Sequence, residues 1–406
     1  MKRLRIFAMM MAVCMLCTCG ALAETTVQLD PSKPVTLTIW HYYNGMQQQT
    51  FDNLVLEFNE TIGAEQGIIV ESHSQGSVND LATKVLSSAN HEVGAEEMPD
   101  VFGAYADTAY EVNKMGLVAD LAQYMTQDEI DEYMDSYIHE GQLDENGTMK
   151  VFPVAKSTEL LLTNATDWNA FAEATGADKA QFATWEGIVE LAKQYYEWTD
   201  AQTPDVENDG KAFFGRDAFA NYMLIGSMQL GTELFKVENG TMTLQVNADV
   251  MRKLWDNYYV PYVNGWFGAY GRFRSDDIKT GQLIALVGST SGALYFPTEV
   301  TRDDGTTYPI DCEVFALPNF DGTEPYAVQQ GAGMVVNAST PEKEYAATVF
   351  LKWFTQAQNN IDFALNSGYL PVKKAANDAA LLNAAMDEAG VTELLRSIID
   401  VGVQIA

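Results

Sequence analysis

The feature that most constrains this chain is a repeated switch of hydrophobic period, from two to about 3.6 and back, along much of its length. Val35–Trp40 alternates β-branched and apolar residues and predicts a first strand; Phe51, Leu54, Val55 and Phe58 then recur at helical spacing. Ile68–Ser72 predicts a second strand, Leu81–Ser88 a short helix, and Val101–Ala104, opened by Pro99-Asp100, a third strand. Downstream, Thr184 is placed to cap a helix whose apolar face is Ile188, Val189, Leu191 and Ala192. Glu313–Leu317 and Met334–Val336 predict further strands, and Glu342–Thr355 a helix that turns Ala346, Val349, Phe350 and Trp353 inward. Strand and helix in alternation define an α/β layer fold with a largely parallel sheet.

Residues 1–23 are set apart as an export signal, because Lys2, Arg3 and Arg5 precede an apolar stretch, Ile6–Cys19, too short to span a bilayer. Ala21-Leu22-Ala23 carries small residues where a signal peptidase accepts them, so the mature chain is expected to be secreted, extracellular or periplasmic. Lipid attachment at Cys19 is the competing reading, although Leu16-Cys17-Thr18 makes a poor lipobox. After cleavage only Cys312 remains, which rules out an internal disulfide and leaves stability to a large core. The remaining length exceeds what one growing core accommodates and favours two lobes. A formal charge of −32 argues against nucleic acid as a partner. It also repels anionic solutes unless Arg or Lys gather locally.

Enzyme signatures are weak. His41, His73, His91 and His139 are scattered without metal-ligand spacing. Gly288-Ser289-Thr290-Ser291-Gly292 has the outline of a nucleophile elbow, but Thr stands at the nucleophile position. Asp205, Glu207, Asp209 and Gly210 match the start of a calcium loop; Arg216 stands where the closing carboxylate belongs, so a plain acidic turn is preferred. No catalytic residue, metal or cofactor is assigned, and a non-enzyme is expected. Trp40-His41-Tyr42-Tyr43-Asn44-Gly45 stands where a strand ends, the place where open α/β sheets hold ligands, and its rings suit the C–H face of a sugar. The plainer reading of Trp40 and Tyr42 is packing. Tyr105 and Asp107 follow the third strand and are placed to close on hydroxyls.

Several stretches together resemble the bacterial extracellular solute-binding proteins of family 1, the class of maltose-type and glycerol-3-phosphate receptors. They are Ile39-Trp40-His41 with Phe58-Asn59, Met98-Pro99-Asp100, Gly265–Arg272, Gly281–Leu294, Leu317-Pro318, Gln330–Met334 and Ser367–Pro371. The resemblance implies a two-lobed, periplasmic-binding-protein-like (type II) α/β fold, each lobe a mixed sheet flanked by helices, with three inter-lobe crossings. These are expected near Val154–Ser157, Glu313–Phe315 and Phe350. Lobe one then takes 24–155 plus 314–350, and lobe two 156–313 plus 351–406. It implies a solute held in the cleft by Trp40, Ser157, Ser289, Ser291, the Gln330-Gly331 backbone and Tyr369, with Trp266 as a stacking surface from lobe two.

The function so implied is that of a monomeric receptor of an ABC importer, capturing a mono- or oligosaccharide for the transmembrane permease subunits. Glycerol-3-phosphate or a glycerophosphodiester is the alternative, and a secreted carbohydrate-active enzyme the reading from another class. Val78 and Ala106 depart from the phosphate-receptor pattern, where Arg396 is the candidate for its phosphate-contacting Arg. Members of the family carry a further helical segment where this chain reaches Ala406, which suggests an incomplete C-terminus.

Overall fold

The computed structural model describes residues 27–143, 147–238, 241–302 and 304–405, so the expected export signal and Cys19 lie outside the described residues. The chain divides into two compact units. Unit 1 takes the described residues up to Asn44, Phe51–Pro153 and Gly333–Phe354; unit 2 takes Gly45–Thr50, Val154–Ala332 and the chain from Thr355. Beyond the short Gly45–Thr50 segment, the chain changes unit at Pro153/Val154, Ala332/Gly333 and Phe354/Thr355. The passage expected at Glu313–Phe315 is corrected: those residues form a strand in the middle of a unit 2 segment, and the change comes at Ala332/Gly333.

In unit 1, β1 (Val35–His41), β2 (Ile68–Ser74) and β3 (Val101–Ala104) run parallel. The chain's last strand, β12 (Gly333–Val336), returns antiparallel to β3, giving the order β12-β3-β1-β2. The period-two pattern of β1 sorts its side chains. Trp40 packs on one face with Leu81, Val85 and Phe102. On the other face His41 meets Phe51 of the helix Gly45–Glu60, with ring centroids 4.8 Å apart. Phe58 of that helix meets Phe350 and Trp353 of the helix Pro341–Phe354 edge-on at 5.1 and 5.3 Å. Burying rings of this size stabilises by roughly 2–3 kcal/mol each. Ser77 caps the helix Val78–Ala89 in a reciprocal box with Asp80, which fixes where the chain turns after β2. Asp100, just ahead of β3, accepts from Thr38 N at 2.9 Å and pairs with Lys343 at 2.7 Å, tying β1 to the helix Pro341–Phe354.

Unit 2 carries the second mixed sheet: β4 (Glu159–Asn164), β5 (Phe214–Arg216), β8 (Ala285–Ser289) and β11 (Cys312–Phe315), in the order β11-β4-β8-β5. Only β5 and β8 are parallel. Two hairpins, β6–β7 (Phe235–Glu238, Thr241–Leu244) and β9–β10 (Glu299–Thr301, Thr307–Pro309), complete its strands. One face of the main sheet is aromatic, with Trp168, Phe171, Trp185, Phe213, Phe214 and Tyr222; the other is aliphatic, with Leu160, Leu162, Leu286 and Ile398.

A buried ion pair interrupts the aromatic face. Arg216, at the end of β5, binds Glu159, at the start of β4, and their side chains are 0% and 2% exposed. Asn221 Nδ2 donates to the other Glu159 oxygen at 3.0 Å. The guanidinium carbon lies 5.8 Å from the Trp185 ring and 5.7 Å from Tyr222. Removing one partner leaves an uncompensated buried charge. Glu159→Ala is therefore expected to cost about 3–5 kcal/mol in urea unfolding followed by tryptophan fluorescence. The double variant Glu159→Ala/Arg216→Met is expected to recover much of that loss.

Candidate functional site

The parallel strands of unit 1 end together, and three of the expected site residues stand at that end. Tyr42 directly follows β1 and packs half-buried beside Gly103, where a Cβ would lie 3.5 Å from its ring. Tyr105, 38% exposed, and Asp107 open the helix Ala106–Lys114 directly after β3. Asp107 Oδ1 accepts from Thr108 N at 2.7 Å, which fixes the carboxylate at the first turn. Trp40 does not join them. It is 4% exposed in the core of unit 1, so its indole is a packing group and offers no free face for stacking.

Unit 2 gathers a second group. Ser157 and Gln330 exchange backbone hydrogen bonds at 2.8 and 2.9 Å. Ser289, which pairs with Glu159 across β4 and β8, caps the turn Thr290–Ala293 by accepting from Gly292 N at 3.0 Å, and its hydroxyl lies 3.2 Å from that of Ser291. Thr290 N donates to Thr158 O at 2.8 Å, locking this turn to the start of β4. Lys156 and Leu370 pair through their backbones, which carries the neighbouring Tyr369 to the same end of the sheet. Two glycines make these approaches possible. Gly331 adopts φ +92°, and a Cβ there would meet Ala155 O at 2.7 Å and the Tyr369 ring at 3.4 Å. Gly368, at φ +69°, closes the helix Ala357–Ser367, and a Cβ there would meet Thr290 O and the Ser291 Cα at 3.0 Å. Ser157, Ser289, Ser291, Gln330, Gly331 and Tyr369 thus belong to one neighbourhood.

Trp266 is not part of it. Its carbonyl accepts from Phe213 N at the start of β5 and its ring packs on the aromatic core, so it stands at the sheet end away from Ser289. Arg396 is likewise spoken for, by Asp387 at 2.6 Å and Asn383 at 3.1 Å. Sequence reasoning missed Glu159 and Arg216, which lie directly behind Ser289, and Lys156, a buried lysine whose ammonium donates to Gly331 O at 3.0 Å. A charged residue inside an otherwise apolar strand, as Glu159 is before Leu160-Leu161-Leu162, was the available signal. In the acidic turn, Asp209 Oδ1 accepts from Thr203 Oγ1 at 2.6 Å, and among the described residues no cluster is arranged to hold a metal ion.

The profile of the bacterial extracellular solute-binding proteins matches residues 53–389, and the chain belongs to that family. By sequence alone, no curated protein matches it. Solved structures agree on the fold. A cyclic α-maltosyl-1,6-maltose binding protein from Arthrobacter globiformis superposes with a TM-score of 0.70 at 18% identity, covering 92% of this chain and 86% of that one. UgpB from Mycobacterium tuberculosis, in complex with glycerophosphocholine, gives 0.65 at 18%, covering 89% and 85%. An ABC substrate-binding protein from Listeria monocytogenes in complex with cycloalternan gives 0.68 at 15%, covering 91% and 87%. The two-lobed, periplasmic-binding-protein-like α/β class is therefore established, and the chain is a solute-binding protein of an ABC importer; the family consists of receptors that act outside the cytoplasmic membrane. Among the described residues no helix is long and apolar enough to cross a membrane.

One group in unit 1 gives this receptor a pH signature. His41 is fully buried, neither ring nitrogen has a hydrogen-bond partner among the described residues, and its ring stacks 5.3 Å from that of Tyr43. Burial pushes the imidazole down to about 4, against the pull of Asp52, with His73 adding a small repulsion. The unfolded chain takes up this proton near pH 6.5 and the folded chain only near 4. Stability is therefore fully present above pH 6.5, declines as pH falls toward 4, and loses on the order of 3 kcal/mol through this group. In His41→Phe, which keeps a ring between Tyr43 and Phe51, urea titrations across that window are expected to lose this part of the slope.

Proposed function

We propose that this receptor captures a neutral mono- or oligosaccharide and delivers it, chemically unchanged, to the transmembrane subunits of its importer. The observation that carries the reading is the assembly of Ser157, Ser289, Ser291, Gln330 and Tyr369 at one end of the unit 2 sheet. Hydroxyls and an amide beside an aromatic ring are the groups that read sugar hydroxyls and cover a sugar's C–H face. Tyr42, Tyr105 and Asp107 supply the same chemistry at the strand ends of unit 1. The charge of −32 favours a neutral ligand over an anion. Of the structural neighbours, one is named for binding cyclic α-maltosyl-1,6-maltose and another is in complex with cycloalternan.

A glycerophosphodiester is the second reading, favoured by the buried Lys156 ammonium beside Gly331 and by the ligand named for UgpB. Thermal shift and calorimetry with maltooligosaccharides and with glycerophosphocholine separate the two. Under the saccharide reading a sugar raises the melting temperature, glycerophosphocholine does not, and Ser289→Ala/Ser291→Ala weakens binding by about tenfold. If no member of a saccharide panel shifts the melting temperature while glycerophosphocholine does, the second reading replaces the first.

A further inference from the structure

Unit 2 contains a pocket at the far end of its sheet from Ser289. Asp167 follows β4, Lys211 precedes β5 and Gly281 precedes β8, whereas Ser289 ends β8; the strand separates the two ends by about 13 Å. The cavity measures about 370 Å³, the small end of the range for ligand sites.

Its lining is built from three rings and balanced charge. Tyr308 OH and Asn164 Nδ2 both donate to Asp167 Oδ2, at 2.8 and 2.7 Å, while Asp167 Oδ1 carries no hydrogen bond among the described residues. Tyr195, only 5% exposed, is a second phenol in the lining. Burial, with Asp167 close by, raises both phenols, so they stay protonated donors. Arg302 lies with its guanidinium carbon 4.3 Å from the centre of the Tyr308 ring, at the rim of the pocket. Lys211 reaches Gly281 O only at 3.4 Å, and Trp198 forms part of the wall. Asp167 and Asp209 against Lys211 and Arg302 bring the lining to formal neutrality within an acidic protein.

We propose that this pocket is a second, peripheral binding site that takes one neutral sugar ring, such as the terminal residue of a glycan. The phenols of Tyr195 and Tyr308, a carboxylate with an open oxygen and flanking cations supply the donors and acceptors that a ring of hydroxyls demands. Trp198 and Tyr308 supply apolar surface for its C–H face. The cancelled charge gives neither an anion nor a cation an advantage, and the volume suits one ring and not a chain. The proposal holds whichever solute the importer carries.

The test uses the full chain in the Ser289→Ala/Ser291→Ala background. Saturation-transfer NMR is recorded with glucose, galactose, mannose and N-acetylglucosamine as probes. At least one sugar is expected to receive saturation, with Tyr195→Phe weakening its binding about fivefold and Arg302→Ala weakening it further. Tyr195→Phe removes only a hydroxyl and Arg302 is exposed, so an unchanged melting temperature certifies both folds. Absence of transfer to every sugar, or transfer indifferent to both substitutions, overturns the site. Displacement of the signal by acetate or inorganic phosphate overturns the assignment to a neutral ligand.

Discussion

The ion pair between Glu159 and Arg216 is the constraint on which the rest of unit 2 depends. It spans the central strand, from β4 over β8 to β5, in a face otherwise built of rings. Two charges withdrawn from water are tolerated only because each is held by further contacts: Asn221 on the carboxylate, and Trp185 and Tyr222 beside the guanidinium. The pair thereby fixes the register at which Ser289 stands opposite Glu159, and with it the turn that presents Ser289 and Ser291. Energetics and site geometry meet here: a loss of the pair would loosen the strands whose ends carry the hydroxyls.

The same economy governs the backbone. Four segments far apart in sequence, Lys156–Glu159, Ser289–Gly292, Gln330-Gly331 and Gly368–Leu370, converge because backbone pairs at Ser157/Gln330 and Lys156/Leu370 replace the ladders of a regular sheet. Such close approach leaves no room for a Cβ, which is why Gly331 and Gly368 stand where they do. Polar side chains borne on extended backbone held this tightly lose little conformational freedom on meeting a ligand, which favours affinity.

The two ends of the unit 2 sheet differ in chemistry although both are polar. Around Ser289 the groups are small hydroxyls and main-chain amides beside one buried lysine. Around Asp167 they are long charged side chains over aromatic rings. Unit 1 adds a contrasting case, His41, a buried titratable group packed against the rings of Tyr43 and Phe51, whose proton uptake is opposed by burial more than it is served by the charge of Asp52.

Much of the architecture was legible in the sequence, because local periodicity reports which face of a strand or helix is apolar. Val35–Trp40, Val101–Ala104, Met334–Val336 and the helix led by Thr184 appear where their patterns placed them. The sequence motifs also named the serines, Gln330, Gly331 and Tyr369 that unit 2 assembles. What the pattern could not report was depth. By residue type Trp40 read as either a packing group or a stacking surface and Trp266 as a stacking surface, and packing decided that Trp40 is buried in the core while Trp266, partly buried, lies against it. Nor could it place Glu159 against Arg216, or Tyr195 and Tyr308 around Asp167, since these partners lie tens to more than a hundred residues apart. The sequence by itself determined the family, the α/β elements and the identity of several polar groups, because these depend on order along the chain. Only the tertiary structure decided which rings are buried, which charges are paired and which hydroxyls stand free, because burial and pairing are set by elements that meet solely after folding.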